Sequence, residues 1–354
     1  MKPDTGILES KVCFKDMTRE EICRYFLSIG EKKFRSEQLF RRMYIDGVSD
    51  FSEVTEFSIK LREKLSVEQV SINAVEILRR QVSTDGTRKY LFGIDGGYAI
   101  EGVFMKYKYG NTACISSQAG CRMGCRFCAS GIDGLQRNLT AGEMADQIVV
   151  MQRDTGQRIG HVVVMGTGEP FDNYEQLLKA IEILHDNKGL NIGLRNITVS
   201  TCGLLDRIRS FAKDMPQVNL AISLHFPKQE QRREWMPIAK SYERKELLAA
   251  CKHYTNLTHR RITFEYALIR GVNDSTEYAE ILADLLSGML CHVNLIPLNH
   301  VEEKGLIGTE RRLAEKFAAV LSSRGIEVTL RRELGSDISA ACGQLRLSVS
   351  KENI

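Results

Sequence analysis

From Asn111 onward, short apolar runs alternate with amphipathic stretches at a regular pitch. A chain so patterned has few options, because each strand–helix–strand step needs a parallel strand pair joined by a right-handed crossover. Strands are expected at 112–116, 161–166, 197–201, 218–225, 262–269 and 293–298. Helices are expected between and after them, at 141–152, 174–186, 204–213, 244–254, 277–286 and 310–322. The first of these helices is well signed, since Thr140 and Glu143 form a capping-box pattern. Six such units predict an α/β fold with a parallel sheet, and periodicity leaves open whether that sheet stays open or curls into a partial barrel. In either case ligands belong at the carboxyl ends of the strands.

The residues before this series follow other rules. Ile22, Tyr25, Phe26 and Ile29 follow Thr18 at helical spacing, Leu39, Phe40 and Met43 follow Ser36, and 57–65 supplies a third apolar stripe. Lys32, Lys33, Arg35, Arg41 and Arg42 punctuate the first two, a pattern that commonly marks a solvated face. At Val75 the period changes to two, and the runs 75–82, 88–94 and 98–105 are joined by the hairpin signals Asp85-Gly86 and Asp95-Gly96-Gly97. The expected organisation is therefore a helical accessory module (1–72), a β meander (73–106), an α/β core (107–337) and a tail (338–354). No run approaches the roughly 20 apolar residues of a membrane span, and the opening residues lack a signal-peptide pattern, so a cytoplasmic location is the default expectation. A net charge of +4 is too mild to argue for nucleic acid by itself.

In a chain of this kind, clustered cysteines read as metal-binding or redox groups rather than as a disulfide framework. There are ten cysteines, and Cys121-Arg122-Met123-Gly124-Cys125-Arg126-Phe127-Cys128 holds three of them just after the first strand of the series. Structural zinc takes four ligands, usually as two pairs, so His161 or His225 would have to complete the set. An iron–sulfur cubane with three protein thiolates instead leaves one iron open for chemistry. Cys13, Cys23, Cys202, Cys251 and Cys291 read as small core hydrophobes. Cys342, between small residues and a glycine, is better placed to move than to pack.

Cys121, Cys125 and Cys128, with Phe127 before the last, resemble the signature of the radical S-adenosylmethionine superfamily. That resemblance implies a partial (β/α)6 barrel and one 4Fe–4S cluster on the three thiolates. Gly166-Thr167-Gly168-Glu169-Pro170, at the end of the second strand, is similar to the superfamily's Gly-Glu motif, so Gly168 and Glu169 would meet S-adenosylmethionine. Ser200, the run Ser223-Leu224-His225, and Asn299 stand at later strand ends and would complete the cofactor contacts.

Agreement spread from about Glu101 to Leu345 narrows the resemblance to the bacterial dual-specificity RNA methyltransferases that modify C2 of adenosine. Its carriers are Cys114-Ile115-Ser116-Ser117-Gln118-Ala119-Gly120-Cys121, Asn219 to His225, Met236-Pro237-Ile238, Gly271-Val272-Asn273-Asp274, Val293 to Pro297 and the tail around Cys342. In that family the cysteine matching Cys342 carries the methyl group, the one matching Cys114 resolves the intermediate through a transient disulfide, and a glutamate matching Glu101 accepts a proton. Here Gly102 follows that glutamate where the family more often has a branched residue.

The chemistry has a reason. Adenine C2 is electron-poor and cannot attack a sulfonium methyl as a nitrogen would, so a carbon radical must be added to it. Two molecules of S-adenosylmethionine per turnover are implied: one methylates Cys342, and the second yields the radical that activates the S-methyl group. The partners implied are 23S rRNA, tRNA and an electron donor such as flavodoxin or ferredoxin, with the chain a monomer. The basic residues of the helical module, with Arg331 and Arg332, are candidates for gripping phosphates. Two rivals stand beside this reading. One is the antibiotic-resistance branch that methylates C8, from which Glu169-Pro170 and Ile296-Pro297 point away. The other is a non-catalytic, zinc-bound RNA-binding protein.

Overall fold

The computed structural model describes residues 12–67, 70–299, 305–332 and 334–338. Thr18 opens α1 (Arg19–Ser28) with the reciprocal cap that its spacing from Glu21 permits. Helix α2 (Phe34–Arg41) runs into a π-helical turn, Arg42–Asp46, which Gly47 ends in the left-handed conformation; α3 (Ile59–Val67) follows. Four strands then pair antiparallel in succession: β1 (Val75–Val82), β2 (Arg88–Ile94), β3 (Tyr98–Tyr107) and β4 (Gly110–Cys114). A small hairpin of β5 (Gln118–Gly120) and β6 (Leu135–Asn138) precedes the repeating series. That series comprises α4 (Ala141–Thr155), β7 (His161–Val164), α5 (Tyr174–His185), β8 (Ile197–Thr201), α6 (Leu205–Asp214), β9 (Asn219–Ser223), α7 (Gln229–Trp235), α8 (Arg244–Thr258), β10 (Ile262–Leu268), α9 (Thr276–Leu286), β11 (Cys291–Pro297), α10 (Arg311–Ser323) and β12 (Glu327–Leu330).

All strands but β5 and β6 form one ten-stranded sheet in the order β1-β2-β3-β4-β7-β8-β9-β10-β11-β12. From β4 to β12 every neighbouring pair is parallel. The six expected strands and six expected helices are all present, and β1 and β12 are the sheet's two edges, so the series makes a partial rather than a closed barrel.

Several details differ from the sequence expectation. The first strand of the series stops at Cys114 rather than at residue 116, because Ser116 turns its hydroxyl back to donate to the Glu101 carbonyl at 2.6 Å. The meander extends the core sheet through the β3–β4 pairing instead of merely linking two regions. A seventh parallel strand, β12, closes the series beyond the six expected. A Cβ at Gly102 would lie 2.6 Å from Met151 Cε and 3.0 Å from Phe92, so the branched residue more usual in the family would require the flexible end of Met151 to move aside.

The helical module and the sheet share one core, since Phe14, Phe26 and Phe40 belong to the same buried cluster as Met144, Ile148 and Val162. Helix α4 is covered on both sides and is buried nearly all round, as a helix between two layers must be. Its first turn is capped twice: Thr140 accepts from the Glu143 amide, and Asp16 of the module accepts from Gly142 at 2.9 Å. Beneath this joint Lys15 pairs with Asp146 at 2.8 Å, both side chains almost wholly buried. Asp146 also accepts from the amides of Ala74 and Val75, and Lys15 donates to the Met43 carbonyl. Lys15→Met strands the Asp146 carboxylate in the interior, so it should cost about 3–5 kcal/mol. Urea unfolding measures this, and a loss under about 1 kcal/mol, typical of a surface pair, would overturn the buried-pair assignment.

Candidate active site

The carboxyl ends of the parallel strands surround an open cavity. Cys121, Cys125 and Cys128 stand on its wall together with Gly168, Glu169, Ser200, Ser223 and His225.

Backbone hydrogen bonds hold the loop bearing the three thiols at both ends. The β5–β6 hairpin closes its base, with the Cys121 amide donating to Gly134 O at 2.9 Å. Gly120, at φ 74°, makes this possible, since a Cβ there would lie 2.0 Å from that carbonyl oxygen. Farther along, the Arg126 amide donates to Trp235 O at 2.9 Å, which ties the loop to α7. Burial, then the neighbouring Cys128 and Glu169, pushes the Cys121 thiol up to about 12, and burial with the adjacent thiols pushes Cys125 higher still. A metal that displaces these protons would keep all three as thiolates. Among the described residues, no three His, Cys, Asp or Glu side chains come close enough to hold a single metal ion. The donor set is three soft thiols spread around a roomy cavity, and it fits a polynuclear iron–sulfur cluster whose corner irons each take one thiolate.

The Gly166-Thr167-Gly168-Glu169 turn packs between β5 and the end of β8. Gly168 takes φ 109°, and a Cβ on it would lie 2.6 Å from Gln118 Cβ. Glu169 is fully buried; burial raises its carboxyl, while the Cys202 amide at 2.8 Å and the Phe171 amide at 3.1 Å oppose that rise. Those bonds fix both carboxylate oxygens at the cavity wall. Ser200 and Ser223 face each other across β8 and β9, hydroxyl to hydroxyl at 3.4 Å. Leu224 buries its side chain in the main core and offers the site only backbone. His225 sits at φ 54°, with Nδ1 accepting the Ala267 amide at 3.0 Å. Its neutral ring therefore carries its proton on Nε2; burial, and secondarily Arg232, lowers its pKa to about 3. Phe127 packs edge-on to that ring at 4.7 Å, joining the cysteine loop to the end of β9.

Asn299, Glu101 and Cys114 are not part of the cavity wall. Asn299 follows Leu298, which lines the cavity, and is half-buried. Glu101, on β3, is buried and ion-paired with Lys89 at 2.8 Å. Cys114, at the end of β4, is buried in an apolar cluster with Val103, Met105, Val163 and Met165. Met165 also lines the cavity, so a single side chain links the Cys114 cluster to it. Cys342 lies outside the described residues. Of the expected phosphate contacts, Arg331 lines the cavity and Arg332 is exposed. Arg42 is engaged with Asp46 and the Glu53 carbonyl, and Arg35 with the Glu56 carbonyl.

Three cavity features escape sequence reasoning. Arg232 on α7 is 1% exposed and donates to the carbonyls of Cys202, Leu224 and Ser223, bracing two strand ends; its helix has no apolar stripe to announce it. Glu265, which accepts from Asn294 at 2.8 Å, lines the cavity, and burial raises its carboxyl. A charged residue inside an apolar strand was the available signal. Cys202 is buried, as a core hydrophobe should be, yet it shares the wall with the three clustered thiols.

Residues 13–70 match the ribosomal RNA large subunit methyltransferase N-terminal domain, and residues 115–284 match the radical SAM superfamily. A crystal structure of a radical SAM methyltransferase from Sphaerobacter thermophilus superposes with a TM-score of 0.92 at 42% identity, covering 95% of this chain and 99% of that one. The fold and the three-thiol cavity are thus those of a radical S-adenosylmethionine protein. A protein of Desulforamulus reducens named "Probable dual-specificity RNA methyltransferase RlmN" is 48% identical over 345 residues, 97% of this chain and 98% of the relative. The Bacillus subtilis protein of the same name is 49% identical over 330 residues, 92% of this chain and 91% of its own. The chain belongs to the RlmN family of dual-specificity RNA methyltransferases.

Proposed function

We propose that the protein methylates C2 of a specific adenosine in 23S rRNA, at the peptidyl-transferase centre, and of the adenosine 3′ to the anticodon in some tRNAs. The observation that carries this reading is the cavity at the carboxyl ends of the parallel strands, walled by Cys121, Cys125 and Cys128. Superfamily membership implies a 4Fe–4S cluster and S-adenosylmethionine, and the three thiols suit the cluster. When bound, the cluster supplies the electron that cleaves S-adenosylmethionine.

The chain's own groups do the rest. Gly168 and Glu169 hold the amino end of S-adenosylmethionine, while Ser200, Ser223, His225, Asn299 and the Leu224 backbone hold its nucleoside and carboxylate. The Cys342 thiolate takes a methyl group from a first S-adenosylmethionine, a polar substitution to which sulfur is suited. A second S-adenosylmethionine is consumed in activating that carbon, which then joins the base. Glu101 takes the proton lost from C2 as the base gives back the electron spent on the cleavage. The Cys114 thiolate then attacks the Cys342 sulfur, breaking the carbon–sulfur bond so that the freed carbon takes up a proton and leaves as the methyl group of the RNA. The disulfide left behind is transient, as cytoplasmic catalytic disulfides are. Flavodoxin or ferredoxin is the electron donor in this reading, and the chain acts as a cytoplasmic monomer. Among the described residues, no helix is long and apolar enough to cross a membrane.

Mass spectrometry of nucleosides from 23S rRNA and tRNA tests the position. Cells that lose the protein lack 2-methyladenosine in both and regain it with the restored chain. An 8-methyladenosine signal instead would assign the chain to the resistance chemistry.

A further inference from the structure

Arg232 is among the largest fully buried side chains of the protein. A cation taken out of water is costly, and buried charges are for that reason normally paired with an acid. Arg232 has no such pair. Its guanidinium donates to the carbonyls of Cys202 at 2.8 Å and of Leu224 and Ser223 at 3.3 Å, and among the described residues no carboxylate bonds to it. The ionisable groups whose charge bears on it are the thiols of Cys202, Cys125 and Cys251. Two of these, Cys125 and Cys202, stand on the cavity wall. The position of α7 accounts for that proximity. Trp235, at its end, accepts from the Arg126 amide at 2.9 Å. Met236, just beyond, lines the cavity and belongs to the apolar cluster of Phe127 and Cys202, against which Cys125 and Cys128 pack. The helix therefore backs the cysteine loop, and Arg232 lies behind the cavity wall rather than on it.

We propose that Arg232 is the counter-charge of the iron–sulfur site, a positioning residue whose fixed positive charge favours the reduced cluster; this role rests on reading Cys121, Cys125 and Cys128 as the cluster's three ligands. Three thiolates give such a cluster a net negative charge, and the one electron it must accept deepens that charge. A cation held close by stabilises the more negative state, and does so more strongly through an interior of effective dielectric constant about 20 than it would through water. Net charge, hydrogen bonding and exposure are the levers by which a protein sets these potentials. Arginine suits the place better than lysine, because its planar fork meets three carbonyls at once and its charge is permanent. The anion missing from around Arg232 is thus supplied by the site on the other side of the wall.

The test reads the cluster itself, without turnover. Anaerobic, iron-loaded protein free of S-adenosylmethionine is titrated with dithionite in the presence of redox mediators, each cluster taking one electron, and the reduced fraction is followed by electron paramagnetic resonance. In Arg232→Gln the ratio of reduced to oxidised cluster at a fixed potential should fall about tenfold, which lowers the midpoint by about 59 mV. Arg232→Lys keeps the charge but not the fork, and its ratio should stay within about twofold of the unmutated protein. A mere brace for the strand ends would be weakened in both variants alike. Should the glutamine variant lose iron, Arg232→Met removes the buried charge at similar volume and gives the same reading. An unshifted midpoint in the neutral variant at equal iron content overturns the proposal, as does a lysine variant that shifts as far as the neutral one. Unmutated protein that takes up no reducible cluster overturns the three-ligand reading first, and the counter-charge with it.

Discussion

Cys114→Ala protein, given S-adenosylmethionine, a reductant and RNA without oxygen, accumulates as a covalent protein–RNA adduct that survives denaturing electrophoresis. In the proposed mechanism, once carbon on Cys342 has joined the base, only attack by a second thiol on the Cys342 sulfur frees the product. Cys114, proposed as that second thiol, is buried at the end of β4 in the cluster that Leu334 and Ile338 reach. Alanine removes the nucleophile with little change of volume in an apolar site, so the fold should persist while turnover stops after one event. The companion Cys342→Ala forms no adduct, since it has no carrier sulfur, yet still cleaves S-adenosylmethionine. Repeated turnover to free methylated RNA by Cys114→Ala would remove Cys114 from the resolving role.

Cys121→Ala has the other large effect, a complete loss of activity with an intact fold. The loop keeps its shape through the bonds of the Cys121 and Arg126 amides, which alanine leaves in place. Thermal midpoints of the metal-free proteins should therefore agree to within about 1 kcal/mol of stability. What is lost is one of three thiolates, so iron content falls well below four per chain and 5′-deoxyadenosine is not produced. A brown, four-iron Cys121→Ala protein would mean that another group, Cys202 foremost among them, ligates in its place.

Much of this was legible in the sequence because parallel strands buried on both faces appear as unbroken apolar runs, as in Leu220-Ala221-Ile222 of β9. The same logic missed β12, whose four residues Glu327–Leu330 are half-solvated and too short to show a period. It missed the β5–β6 hairpin, three and four residues long, although that hairpin shapes the cysteine loop. Pairing order was beyond it too: alternation announced the β1–β3 meander, but only the register of Val103 with Cys114 shows that the meander extends the core sheet. At the site, spacing and strand-end position pointed to Cys121, Cys125 and Cys128 and to Ser223 and His225, all on one cavity wall. Arg232 was invisible because a buried guanidinium satisfied by three carbonyls leaves no pattern in the residues around it.

One measurement reaches furthest. The protein is incubated anaerobically with methyl-labelled S-adenosylmethionine, reductant and RNA, and the label is followed by mass spectrometry on the Cys342 peptide and on released nucleosides. A radical methyltransferase that uses Cys342 as carrier puts label first on Cys342 and then on adenosine C2, with one 5′-deoxyadenosine formed for each methyl delivered. Label that reaches RNA without ever residing on Cys342, or methylated RNA formed with no 5′-deoxyadenosine, would rule that chemistry out.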